Sequence, residues 1–156
     1  MNSLSVALDS NLLLLLVVGM TSRHFVEKHK RLQAFTAEDF DLLQEQLSVA
    51  TEIVVTPNTL TETSNLIDHI ADPARAQIYS TLRSVLNSPN TSERFVPSIQ
   101  ASEEQALPRL GLTDCVLLKV CASGIPLMTV NLKLYLAAVA RGDKVLNFNH
   151  LRENLW

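Results

Sequence analysis

The chain has 156 residues, a formal net charge of −3 and a hydrophobic fraction of 47%. That length fits one domain, residues 1–156, with a sizeable core, and the composition excludes a disordered chain. The mild acidity excludes a strong whole-chain electrostatic grip on nucleic acid and leaves such contact to a local basic patch or a bound cation.

Residues 4–9 are short and apolar without alternation, the pattern of a buried strand that ends on Asp9. Ser10 or Asn11 is placed to cap a helix running to about Met20. Residues 21–35 are polar and basic, with Arg23, His24, Lys28, His29, Lys30 and Arg31. Thr36 to Asp39 resembles a capping box, and Phe40, Leu43, Leu47 and Ala50 follow at helical spacing. Residues 21–50 are therefore expected as a helical excursion beside the core, suited to a partner protein or to self-association as a homodimer. Glu52 to Thr56 is a second strand, Thr59 to Ala71 a helix, and Asp72-Pro73 a break before a helix carrying Ile78, Leu82, Val85 and Leu86. Asn87 to Ser92 is expected as loop, and Arg94 to Val96 as a short third strand. Ser102 to Leu110 is expected helical despite Pro108. Thr113 is expected to cap the next helix, which Gly124 ends. A strand over 126–130, a helix over 132–141 and a strand over 144–148 complete the chain.

Strands alternating with helices in this way predict an α/β three-layer sandwich, with a central, mainly parallel sheet between two helical layers. Cys115 and Cys121 fall on different faces of one helix, which argues against a disulfide and fits core thiols in a reducing cytoplasm. The apolar run from Leu12 to Met20 is too short to span a membrane, and no basic segment precedes it as in a signal peptide.

Asp9 closes the first strand, Glu62 lies one turn past the second, and Asp114 opens the helix that leads to the fourth. Carboxyl ends of parallel strands share one sheet edge, so these carboxylates are expected to converge. A common reason to crowd like charges is a divalent cation with oxygen ligands. Each acid also has an ordinary use: Asp9 as a helix cap, Glu62 as an exposed helix residue, Asp114 as a first-turn acid.

Four segments taken together resemble the PIN domain family. Val6-Ala7-Leu8-Asp9-Ser10-Asn11 is similar to that family's opening strand motif. Thr59-Leu60-Thr61-Glu62-Thr63 is similar to the second motif, and Leu110-Gly111-Leu112-Thr113-Asp114 to the third. Thr129-Val130-Asn131 is similar to the fourth, with Asn131 where an Asp is usual. The resemblance implies a five-stranded sheet in the order 3-2-1-4-5 and a metal-dependent ribonuclease, in some members a toxin restrained by an antitoxin. It implies Mg²⁺ or Mn²⁺ held by Asp9, Glu62 and Asp114, directly or through water, with the Asn131 carbonyl contributing. Ser10, Asn11 and Thr129 would orient those carboxylates by hydrogen bonds. Lys119 and Lys133 flank these motifs and are candidates for phosphate contact. The four histidines show no ligand spacing.

With an amide at 131, the site holds three negative charges rather than four. A PIN-like module that binds RNA or protein without cleaving is the alternative. A receiver domain is disfavoured because the second strand ends in Thr56-Pro57 with no Asp, and a dinucleotide-binding fold because no Gly-rich loop follows any strand.

Overall fold

The computed structural model describes residues 4–153, so the two chain ends, 1–3 and 154–156, lie outside the described residues. Five strands form one sheet: β1 (Ser5–Leu8), β2 (Glu52–Val55), β3 (Thr91–Glu93), β4 (Leu127–Thr129) and β5 (Val145–Asn147). The order is β3-β2-β1-β4-β5 and every neighbouring pair is parallel. The helices are α1 (Ser10–Thr21), α2 (Arg23–Val26), α3 (Ala37–Leu47), α4 (Pro57–Ile67), α5 (Ala74–Leu86), α6 (Ser98–Ala101), α7 (Leu107–Leu110), α8 (Leu112–Ala122), α9 (Leu132–Ala140) and α10 (Phe148–Glu153). Sheet order and direction are those expected.

The pleat divides the core. Val6, Leu8, Ile53, Val55 and Met128 face α1, α3, α4, α5 and α10. Ala7, Val54 and Leu127 face α8 and α9 through Leu117, Leu118, Cys121, Leu134 and Ala138. Side chains of successive strand residues point to opposite faces, so a short apolar strand feeds both layers. The chain winds outward from β1 in one direction to reach β2 and β3, then returns to lay β4 on the other side of β1. The order thus reverses between β1 and β4, and the crevice at their carboxyl ends is where open parallel sheets take ligands.

α1 is apolar all round because it is buried nearly all round, from Leu12 to Gly19. Gly19 is the close-approach point, since a Cβ there would overlap the Phe40 ring of α3.

Residues 21–35 differ from expectation. Val26, His29, Leu32 and Phe35 are buried at intervals of three, while the cationic side chains between them stay exposed. The spacing follows a run of tight turns, with Leu32 N–H bonded to His29 O and Phe35 N–H to Leu32 O. His29 is neutral by design of its surroundings: Nδ1 accepts from Arg31 N–H at 3.1 Å, and Nε2 lies 3.4 Å from Ile67 O as donor. Burial holds its pKa below the usual value. The segment is therefore part of the core, hidden in the sequence by its charged neighbours.

β3 also differs. It lies at Thr91–Glu93, beginning inside the expected loop, rather than at Arg94 to Val96; it pairs with Ile53–Val55, and Arg94 N–H makes the last bond to Val55 O at 2.8 Å. An edge strand needs one row of backbone bonds and no apolar face, so a polar sequence serves. Of the stretch expected as one helix over 102–110, only Leu107–Leu110 is helical, as α7; residues 102–106 are a turn that follows α6. α8 starts at Leu112 after Gly111, whose φ of 84° makes the turn from α7, and no side chain caps it.

Removing residues 22–34 is accordingly expected to prevent folding, seen as loss of a cooperative thermal transition. Leu32→Ala is expected to cost about 2–5 kcal/mol in urea unfolding. Gly19→Ala is expected to cost about 1–3 kcal/mol by overpacking against Phe40. A Leu32→Ala protein as stable as the parent would return the segment to the surface.

Candidate functional site

Asp9 leaves β1 at the crevice and is 4% exposed. Its Oδ1 accepts from Leu12 N–H at 2.8 Å, capping α1. Its Oδ2 accepts from the Thr129 hydroxyl at 2.5 Å and from Val130 N–H at 2.9 Å. Asp9, and not Ser10 or Asn11, is therefore the cap of α1, and the same side chain also ties β1 to the end of β4. Burial pushes its pKa up, the three donors pull it down, and the charge of Glu62 adds to the rise.

Glu62 arrives on α4. Thr56 caps that helix through Thr59 N–H at 3.1 Å, and Pro57 occupies its first position, where a missing N–H costs nothing. Thr59 and Thr63 are buried, Thr63 bonding back to Thr59 O at 2.7 Å. This leaves Asn58, Thr61, Glu62 and Asn65 on the outer face.

Asp114 sits in the first turn of α8 and is half-buried. Burial first, then the charges of Asp9 and Glu62, lift its pKa to about 7. The three acids from β1, α4 and α8 thus feel one another's charge. Among the described residues, none of the three joins an ion pair.

Asn131 is beside them but not as expected. Its Oδ1 caps α9, accepting from Lys133 N–H at 3.0 Å and Leu134 N–H at 3.3 Å. Its Nδ2 donates to Asp114 Oδ2 at 3.1 Å. The carbonyl is committed to the helix, and the amide N–H meets the acid cluster. The cap settles the orientation, because only the oxygen accepts.

Thr129 relays this arrangement, donating to Asp9 and accepting from Asn131 N–H at 2.9 Å. Ser10 is buried beside Asp9, and its hydroxyl has no hydrogen-bond partner among the described residues. A buried hydroxyl without a partner calls for a water or an ion. Asn11 is exposed, and its side chain makes no hydrogen bond among the described residues. Lys119 pairs with Glu104 at 3.5 Å, whereas Lys133 is exposed in the first turn of α9. Among the described residues, no three His, Cys, Asp or Glu side chains group closely enough to hold a metal ion as they stand.

Two supports were not visible in the sequence. Val130 supplies a backbone N–H to Asp9, which the carboxyl edge of any strand can do and no motif announces. Asn149 of α10 holds the carbonyl of the same residue, donating to Val130 O at 3.3 Å, and is itself gripped by Arg152 at 2.9 Å.

An open cleft of about 460 Å³ lies against Glu62, lined also by Asn58, Thr61, Asn65, Phe95 and Thr113. A second one, bordered by Lys28, Lys30 and His69, lies past the far end of α4. Both clefts follow α4, the first reaching Asn65 and the second beginning at Asp68.

No family model matches the chain, and neither curated proteins nor solved structures give a match.

Asp9 and Asp114 are expected to respond oppositely to neutralisation without metal. Asp114 has one polar partner and sits among like charges, so Asp114→Asn is expected to raise the melting temperature in EDTA at pH 7.5. At about 2–4 °C per kcal/mol in a chain of this size, the change is readily measured. Its folded pKa lies above the unfolded one, so between about 4 and 7 the folded state holds more protons and stability falls as pH rises. Asp114→Asn is expected to flatten that fall. Asp9→Asn is expected to melt lower, because an amide nitrogen would face Val130 N–H. A higher melting temperature for Asp9→Asn would remove the bridging role.

Proposed function

We propose that this chain is a metal-dependent ribonuclease of the PIN type, acting in the cytoplasm on RNA. The observation that carries the reading is the gathering of Asp9, Glu62 and Asp114 at the β1/β4 crevice without a cationic partner, Asp114 being pushed to about 7. Folding tolerates such a cluster at a cost, and a divalent cation offsets that cost.

The donors suit Mg²⁺ or Mn²⁺: they are hard carboxylate oxygens, and the buried hydroxyl of Ser10, next to Asp9 in the chain, has no partner. They suit an ion that keeps most of its water rather than one caged by three carboxylates. When bound, such an ion supplies Lewis acidity and a water of lowered pKa for attack on a phosphodiester.

The chain's own residues do the rest. Leu12, Thr129 and Val130 hold Asp9 in one rotamer, with one lone pair on Oδ1 left free. Asn131 restrains Asp114 Oδ2 and leaves Oδ1 available. Lys133, exposed in the first turn of α9 two residues after Asn131, is the candidate for contact with a phosphate. A partner protein such as an antitoxin, or a second copy of the chain, remains part of this reading. No helix among the described residues is long and apolar enough to cross a membrane.

The second reading, an RNA- or protein-binding module without cleavage, draws on Asn131. Its carbonyl is spent on α9, so the fourth position contributes no metal ligand.

Cleavage of a structured, single-stranded RNA by the purified chain tests the choice. Cleavage is expected with Mn²⁺ or Mg²⁺, none with EDTA, and a loss of at least about 100-fold in Glu62→Gln and Asp114→Asn. RNA binding without cleavage in any divalent cation would favour the second reading. Asn131→Asp keeps the cap but sets a carboxylate against Asp114. It is expected to destabilise the metal-free protein by on the order of 1–2 kcal/mol after screening. The same change is expected to tighten Mn²⁺ binding by calorimetry. No change in either measurement would place residue 131 outside the site.

A further inference from the structure

Phe95 is the one mostly exposed aromatic side chain among the described residues, at 77%. It stands where β3 leaves the sheet, at the same carboxyl edge as the acids, and shares the cleft of Glu62. Its backbone is anchored on both sides. Arg94 N–H bonds to Val55 O at 2.8 Å, and Val96 packs on the core. The ring is therefore presented outward by fixed chain, not left out by a loose loop. The same cleft is lined by Asn58 and Asn65, which carry amides, and by Thr61 and Thr113, which carry hydroxyls.

We infer that Phe95 is a stacking platform for an unpaired RNA base next to the scissile phosphate, with Asn58 and Asn65 placed to bond that base or its ribose. The inference rests on the ribonuclease reading and names how that site takes its substrate. An aromatic face accepts any base, and amides and hydroxyls match base edges and the 2′-hydroxyl. A polypeptide anchor is the poorer fit, because anchor side chains of protein partners fill well-packed, desolvated pockets, and this cleft is open with polar side chains. Single-stranded RNA is required, since a base in a duplex is not free to leave its stack for the ring.

The test uses the full chain with fluorescein-labelled 12-nucleotide RNAs in EDTA, so that binding is read without cleavage. One RNA is intact, one carries consecutive abasic positions, and one is annealed to its complement. The parent is expected to bind the intact strand more tightly than the abasic strand or the duplex. Phe95→Ala is expected to weaken binding of the intact strand about 10-fold and to erase its advantage over the abasic one. Phe95→Trp is expected to keep the advantage. Because the ring is mostly exposed, Phe95→Ala is expected to melt as the parent does. With Mn²⁺ present, the same variant is expected to raise KM more than it lowers kcat. A parent that binds and cleaves RNA with no preference for the intact strand overturns the inference alone. So does a Phe95→Ala protein that keeps that preference. A parent that neither binds nor cleaves RNA overturns the ribonuclease reading and the inference with it.

Discussion

A carboxylate buried in a protein survives only where donors replace the water it has lost, and Asp9 has three of them. They come from different parts of the chain: the first turn of α1, the last residue of β4 and the peptide after it. One side chain thereby joins the strand it ends, the helix it starts and the strand that lies beside it 120 residues later. The reversal of strand order between β1 and β4 needs such a clasp, because the two strands are neighbours only through a long excursion of chain. Ser5 to Leu8 pair with β2 over most of their length, but with β4 only at Ala7 and Leu8.

The other two acids do not share that support. Glu62 is held by the cap and buried threonines of α4, and Asp114 by the turn at Gly111, so their positions follow from helix starts rather than from contacts at the carboxylates. This asymmetry separates structure from function within one cluster. Asp9 is costly to remove because its hydrogen bonds are native contacts. Asp114 is costly to keep because its charge is partly desolvated among like charges. A fold retains a group of the second kind where the group has work to do, which is the ground for reading the crevice as a site.

Asn131 gives the cluster its particular character. Capping α9 with the oxygen turns the amide N–H toward Asp114, so the fourth position quiets a neighbouring acid instead of adding to the negative charge. An Asp there would cap equally well and repel. With the amide the cap is kept and that repulsion is absent.

The strands, the helices that cross between them and the strand-end acids were legible in the sequence, because each rests on a local signal. Apolar runs of four or five residues, turn formers and capping residues act over one or two turns of chain. What the sequence left hidden depends on partners distant in the chain. The buried spacing of Val26, His29, Leu32 and Phe35 was masked by cations that face solvent, and became clear only against α3 and α4. The placement of β3 was decided by the backbone of β2, which accepts polar Thr91 to Glu93 because an edge strand buries little side chain. Asp9 was recognisable as an acid at a strand end, but its double duty as cap and clasp required Thr129 and Val130 to be brought beside it. The direction of the Asn131 amide was likewise decided by α9 on one side and Asp114 on the other. Local propensity thus determined which elements form and which residues end them. The meeting of elements remote in sequence decided which polar atoms face each other, since hydrogen bonds and desolvation act over a few ångströms of space whatever the separation along the chain.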